Sequence, residues 1–221
     1  YEEKTPLKDL TLDNLFIDIG AKDAEEARKL VQIGDFAVYE APRFEQNGVL
    51  CGPYLDNRIG CVTLLLMMEQ LADKEIENDL YFVFTAQEEV GLRGAGAAAF
   101  AVEPDAAIAV DVTDTGDLPE MKSAMAVELG KGPAVKVMDR SVICTPAVVD
   151  ALEQAAKDCG VSAQREILLC GGTDTSALQK ARAGVQAGAV SIPTRYIHSP
   201  SELCAVSDVE DAAKLLVQYA L

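Results

Sequence analysis

Two adjacent glutamates, Glu88 and Glu89, follow the apolar run "YFVFTA" and precede the glycine-rich turn "VGLRGAG". Neighbouring carboxylates at the mouth of a core strand repel each other, and the ordinary explanation is a solvated loop. Three further residues argue for more. Asp56 lies in "YLDNRIG", Asp111 ends "AAIAVD", and the single histidine, His198, follows "VSIPTRYI". A lone histidine is commonly a surface or core residue, and Asp56 alone reads equally well as a helix cap. A histidine together with Asp, Glu and Asp at strand ends is a different pattern. Carboxylate oxygens and one imidazole suit Zn²⁺, Co²⁺ or Mn²⁺.

Such residues need elements that bring them together. Within residues 1–50, "LTLDNLFIDIGA" reads as a strand and "KDAEEARKLVQIGD" as a helix. Asp23 is its expected N-cap, and Glu26 three positions on completes a capping-box spacing. "FAVYEAPRFEQNGVLCG" predicts a hairpin broken at Asn47-Gly48. From Pro53 onward helices and strands alternate. Helices are predicted over "NRIGCVTLLLMMEQLADK", "AGAAAFAV", "TPAVVDALEQAAKDCG", a stretch beginning near Asp174, and "SDVEDAAKLLVQYAL". Strands are predicted over "DLYFVFTA", which reads as buried, "AAIAVDV", "QREILLC" and "VQAGAVSIP". The alternation predicts an α/β fold with a mixed, largely parallel sheet and helices on both faces. Ligands of such sheets sit beyond the carboxyl ends of the strands, where the acids and His198 fall.

Composition narrows the partners. The 221 residues carry a formal charge of −17 and no tryptophan. That argues against nucleic acid and against an anionic membrane. No apolar run is long enough to span a bilayer, and the opening "YEEKTPLKDL" is too polar for a signal peptide. The six scattered cysteines contain no C-x-x-C pair and read as free, mostly buried thiols of a cytoplasmic protein.

The motifs "PYLDNRIG", "FTAQEEVGLRGA", "AVDVTDTGD", "CGGTDTSALQ" and "SIPTRYIHSPSE" occur in that order over residues 53–202. Together they resemble the M42 family of metallo-aminopeptidases, the glutamyl- and tetrahedral-aminopeptidase group. The resemblance implies a zinc-peptidase-like catalytic domain over 51–221. It implies that residues 1–50 are the remainder of a PDZ-like, β-rich insert domain that pairs subunits. It also implies two divalent ions, peptide substrates and homo-oligomers, with the family's dodecamer in question for this chain. On that resemblance Asp56 bridges the ions, Glu89 and His198 complete one position, Asp111 holds the other, and Glu88 is the general base. One glutamate of the pair is then anchored while its neighbour stays free to move protons. "GGTD" reads as a turn into a helix capped by Asp174 that lies near the site in the family, and its role stays open. Arg58 and Arg93 read as structural partners of the acids.

The chain departs from the family pattern in one respect. The family carries a further metal-binding histidine in a His-x-Asp motif before the insert domain, and this sequence has one histidine in all. The expectation is therefore one tight metal position per chain. Two explanations stand: a fragment of a longer enzyme, or a short homologue serving as a binding or assembly subunit. A third reading is a glycoside hydrolase with Asp56 and Glu88 as its carboxyl pair. That chemistry leaves Asp111, Glu89 and His198 unexplained.

Overall fold

The computed structural model describes residues 10–119 and 125–221. Residues 1–38 and 39–221 form two compact units.

In the first unit, helix α1 spans Ala24–Leu30. Its start follows the sequence: the Asp23 carboxylate accepts the Glu25 and Glu26 backbone N–H groups at 2.9 Å. Glu26 reaches back, as a capping box requires, but accepts from the Lys22 N–H at 2.9 Å, one residue earlier than expected. The stretch "LTLDNLFIDIGA" is not a strand. It holds one 3₁₀ turn at Leu12–Asn14, where the Asn14 side chain accepts the Thr11 N–H at 2.9 Å. Asn and Asp side chains offer the backbone such local partners, and no described strand competes by pairing with it. Phe16 and Ile17 remain 86% and 70% exposed.

The second unit opens with the predicted hairpin, shortened to β1 (Phe44–Gln46) and β2 (Val49–Gly52). Gln46 pairs with Val49, which leaves Asn47 and Gly48 in the turn with φ of 55° and 74°. Positive φ at both positions is what a two-residue primed turn requires. β2 continues into the main sheet by pairing antiparallel with β7 (Glu202–Ala205). The hairpin therefore lies with residues 39–221.

The sheet is built around β6 (Gln186–Arg195). β6 pairs parallel with β3 (Ala106–Thr113), and antiparallel with β4 (Ala134–Met138) and with β7. β4 in turn pairs parallel with β5 (Gln164–Ile167). The α/β fold and mixed sheet are as expected; the parallel share is smaller, because β4 and β7, which the sequence did not reveal, enter antiparallel. Helices α2 (Leu55–Leu71), α3 (Arg93–Val102), α4 (Pro146–Asp158), α5 (Thr175–Gln179) and α6 (Val206–Ala220) complete the unit. α4 buries Val148, Val149, Leu152, Ala155 and Ala156, one stripe at helical spacing. With Val190, Ile192 and Leu215, Val148, Val149, Leu152 and Ala156 of that stripe form part of the main core.

One expected strand is missing. "DLYFVFTA" forms no ladder with any described strand, and Tyr81 and Phe84 are 65% and 50% exposed. Strand propensity expresses itself only against a neighbour, and β3, the strand that shares a cavity with this stretch, is paired along its other edge alone.

All six cysteines are free, as expected. Cys51, Cys144 and Cys204 are buried, Cys61 and Cys159 half-buried, and Cys170 exposed. No helix among the described residues is long and apolar enough to cross a membrane.

Candidate metal centre

Asp56 stands where the chain enters α2. The backbone leaves the helical path at Asp56 and Asn57, and Asn57 is the residue that caps: its side-chain oxygen accepts the Gly60 N–H at 3.2 Å. The Asn57 amide also donates to the Val110 carbonyl at 2.8 Å, which fixes this turn to β3. Asp56 is thereby spared the capping role, and its carboxylate is free for other contacts.

Glu88 and Glu89 sit in a tight turn ahead of α3. The Glu88 carbonyl accepts N–H bonds from Gly91 (3.1 Å) and Leu92 (2.9 Å), and the Gly94 N–H donates to the Ala86 carbonyl at 3.0 Å. A Cβ on Gly94 would lie 2.6 Å from the Ala86 nitrogen, so only glycine lets the helix start this close to the turn. His198 follows β6 in a loop, with φ of 63°.

These elements bring three side chains together. His198 Nε2 lies 3.1 Å from Asp56 Oδ2 and 3.2 Å from Glu89 Oε1. One ligand atom from each of Asp56, Glu89 and His198 falls within 4.8 Å of the others. One nitrogen and two carboxylate oxygens make the protein complement of a catalytic zinc site, and the same set suits cobalt or manganese. Asp111 is not in this cluster; its Oδ1 accepts the backbone N–H of Val112 at 2.9 Å.

The acids crowd one another. Burial first, and then the neighbouring Glu89, push the Asp56 carboxyl up to about 6. Burial, followed by Glu89 and Asp174, pushes Glu88 up to about 7. Burial holds Asp111 well above the ordinary carboxylate range, against the Val112 hydrogen bond, and Asp56, Glu88 and Asp174 raise it further. Asp174 is also raised by burial, in spite of a 2.7 Å hydrogen bond from Thr85. It makes no capping bond to α5.

These shifts set a pH dependence for the metal-free chain. Unfolded, Asp56 and Glu88 would titrate near 3.8 and 4.5. The folded state binds more protons from there to about pH 7, so its stability falls as pH rises through that window. A metal-free sample should melt several degrees lower at about pH 7.5 than at about pH 5, and added zinc should remove most of the difference. Equal melting temperatures without metal would show that the acids are not in conflict.

Sequence reasoning missed Glu202. The residue is 2% exposed, and its carboxylate accepts the Asp56 N–H (3.0 Å) through Oε2 and the His198 N–H (2.8 Å) through Oε1. It joins two segments far apart in sequence and sets the separation of two candidate ligands. The only signal was a glutamate four positions after the histidine. Glu202→Gln replaces one of these acceptors with a donor and should weaken zinc affinity about 10–100-fold, as loss of an outer-shell partner does. Unchanged affinity by competition with a chromogenic chelator would leave Glu202 no part in the site.

A family model described as M42 glutamyl aminopeptidase matches residues 1–215. The chain belongs to the M42 peptidase family. Among curated relatives, an aminopeptidase-named protein of Acetivibrio thermocellus is 49% identical over 99% of this chain and 66% of its own length. The lysyl aminopeptidase of Pyrococcus furiosus is 37% identical over 92% of this chain and 58% of its own. Among solved structures, an aminopeptidase from Desulfurococcus kamchatkensis superposes with a TM-score of 0.91 at 36% identity, covering 98% of this chain and 62% of that one. A peptidase of Pyrococcus horikoshii, described as assembling into a tetrahedron or a large octahedral shell, gives 0.86 at 34% identity, covering all of this chain and 64% of that one. The chain thus spans roughly three-fifths to two-thirds of the length of these relatives.

Proposed function

We propose that this chain carries most of the catalytic unit of a metal-dependent M42 aminopeptidase, which removes N-terminal residues from peptides. The observation that carries the reading is the convergence of Asp56, Glu89 and His198, with Glu88 beside them and bound to none of them. Asp56, Glu89 and His198 would hold one divalent ion, and Asp111 with the second oxygen of Asp56 would contribute to another. A bound ion supplies Lewis acidity and lowers the pKa of water toward neutrality. Glu88 takes a proton from the attacking water and returns it to the departing amine. A carboxylate within reach of the water and left out of the ligand set suits both directions of that transfer. Glu202 holds the Asp56 and His198 backbones while this happens.

The metal positions are unequal in this reading. Three protein ligands including an imidazole make one tight position, whereas two carboxylates leave the other dependent on water and better suited to a harder ion. Calorimetric titration of zinc into the metal-free 221-residue chain should give one tight site and weak or absent peptide hydrolysis. Two tight sites would overturn this assignment.

A homo-oligomer is the expected assembly, supported by the exposed apolar side chains of residues 10–38, Phe16 and Phe36 among them, and by the assemblies of the Pyrococcus horikoshii relative. We infer that the remainder of the insert domain that pairs subunits ends near Val38, earlier than the 1–50 expected from the sequence, since the β1–β2 hairpin pairs with β7. Free cysteines fit a reducing compartment, and we place the protein in the cytoplasm. A further neighbour, from Thermotoga maritima, is described as an endoglucanase, at 31% identity and a TM-score of 0.70. The imidazole between two carboxylates favours the peptidase; loss of activity on chelation separates the two.

A further inference from the structure

Two neighbouring strands lead to candidate ligands: Asp111 lies in β3, and His198 follows the end of β6. Their parallel ladder stops at Thr113 and Pro193, and a proline has no N–H with which to extend it. Just past that point a side-chain pair takes over. Arg195 donates through Nε to Asp117 Oδ1 at 3.2 Å and through Nη2 to Asp117 Oδ2 at 2.6 Å. A two-pronged bond of this kind fixes direction as well as distance. Partial burial raises the Asp117 carboxyl, but the Arg195 hydrogen bonds outweigh it and hold the group at about 2, so the pair stays charged through neutral pH. Both partners are anchored in turn. Asp117 Oδ2 also accepts the Leu129 N–H at 3.2 Å, and the preceding Gly116 N–H donates to the Val127 carbonyl at 2.8 Å. Arg195 pairs with Leu203 of β7, which closes the base of the connection that holds His198.

We propose that Asp117 and Arg195 are positioning residues of the metal centre: their ion pair fixes the base of the His198 loop to β3, and with it the direction from which the imidazole meets Asp56 and Glu89. The inference rests on the metal reading of that cluster. Two ties then link His198 to Asp56. Glu202 receives the backbone N–H of each directly. The second tie runs from Arg195 through Asp117 to β3, and from the Val110 carbonyl to Asn57, the neighbour of Asp56. One tie sets a separation but lets the loop pivot about it; two set an orientation. The pair is partly exposed, with side chains 28% and 20% accessible, and ion pairs of that kind add little to global stability. Geometry is what this one supplies.

Arg195→Lys keeps the charge and loses the fork, whereas Asp117→Asn keeps the shape and loses the charge. Each, made in the 221-residue chain, should weaken zinc binding about tenfold in competition with a chromogenic chelator, the lower end of what loss of an outer-shell partner costs. The visible absorption bands of the cobalt-loaded chain should change shape as the ligand geometry changes. Metal-free melting temperatures should stay close to that of the unaltered chain. Arg165→Lys is the control: it breaks a two-pronged pair with Glu153 that touches none of the cluster, and zinc binding should not change. Unchanged zinc affinity in either Arg195→Lys or Asp117→Asn would overturn the inference and leave the metal centre standing. So would equal weakening in Arg165→Lys, or a fall in melting temperature with zinc affinity and cobalt bands intact, which marks a pair that only holds the fold. An unaltered chain that binds no zinc would overturn the metal reading and this inference with it.

Discussion

Glu88→Gln, introduced into a full-length M42 enzyme that carries this chain, is expected to lower kcat by roughly 10²–10⁴-fold while metal content stays near that of the parent. The separation of the two readouts follows from the geometry. Glu88 is absent from the three-residue cluster, whereas its neighbour Glu89 is within 3.2 Å of His198 Nε2. Glutamine is nearly isosteric, so the turn that Glu88 anchors through its carbonyl to Gly91 and Leu92 persists. An amide cannot take up the proton that a carboxylate can accept and return. The acid limb of the pH–kcat/KM profile should also change, since the group responsible has been removed. Loss of zinc by elemental analysis would reverse the roles of the pair and make Glu88 a ligand.

Much of this site was legible in the sequence, for local reasons. Asp56, Glu88 and His198 each sit at or just beyond an element boundary, with Asp111 inside β3, and boundaries carry strong signals: Asn47-Gly48 in the hairpin, Gly91 and Gly94 around the turn, Asp23 at α1. Glu202 was not legible, because nothing in a sequence tells a carboxylate that receives two backbone N–H groups from one that faces water. The Asp56–Asn57 turn was half legible: a cap was expected, and the neighbouring amide supplies it. β4 was hidden by Lys136, which is fully buried and pairs with Glu166 of β5 and with Asp139 at 3.8 Å. A charge in a core strand breaks the apolar pattern on which strand prediction relies. The opposite error occurred at 79–86, where the pattern was present without a neighbour to realise it. In both cases the deciding contact lies far away in sequence, beyond the reach of periodicity.

His198→Ala and Glu89→Ala should each cost metal as well as rate, and this is the sharpest difference from Glu88→Gln. Each removes one of three ligand atoms that lie within 4.8 Å of one another, and a position left with two carboxylates, or one carboxylate and one imidazole, falls below the three protein ligands of a catalytic zinc site. Zinc affinity should fall by more than the 10–100-fold expected of an outer-shell partner. The histidine variant is the cleaner of the two, because Glu202 holds residue 198 through its backbone N–H, which alanine retains. The loop should therefore keep its place after the imidazole is gone. His198 also has positive φ, a conformation asparagine adopts readily, so His198→Asn serves as a control for backbone strain. If His198→Asn and His198→Ala lose zinc alike while far-UV circular dichroism is unchanged, the loss belongs to the imidazole. Full zinc occupancy in either His198→Ala or Glu89→Ala would remove that residue from the ligand set, and occupancy in both would leave Asp56 as the one member of the cluster still able to hold an ion.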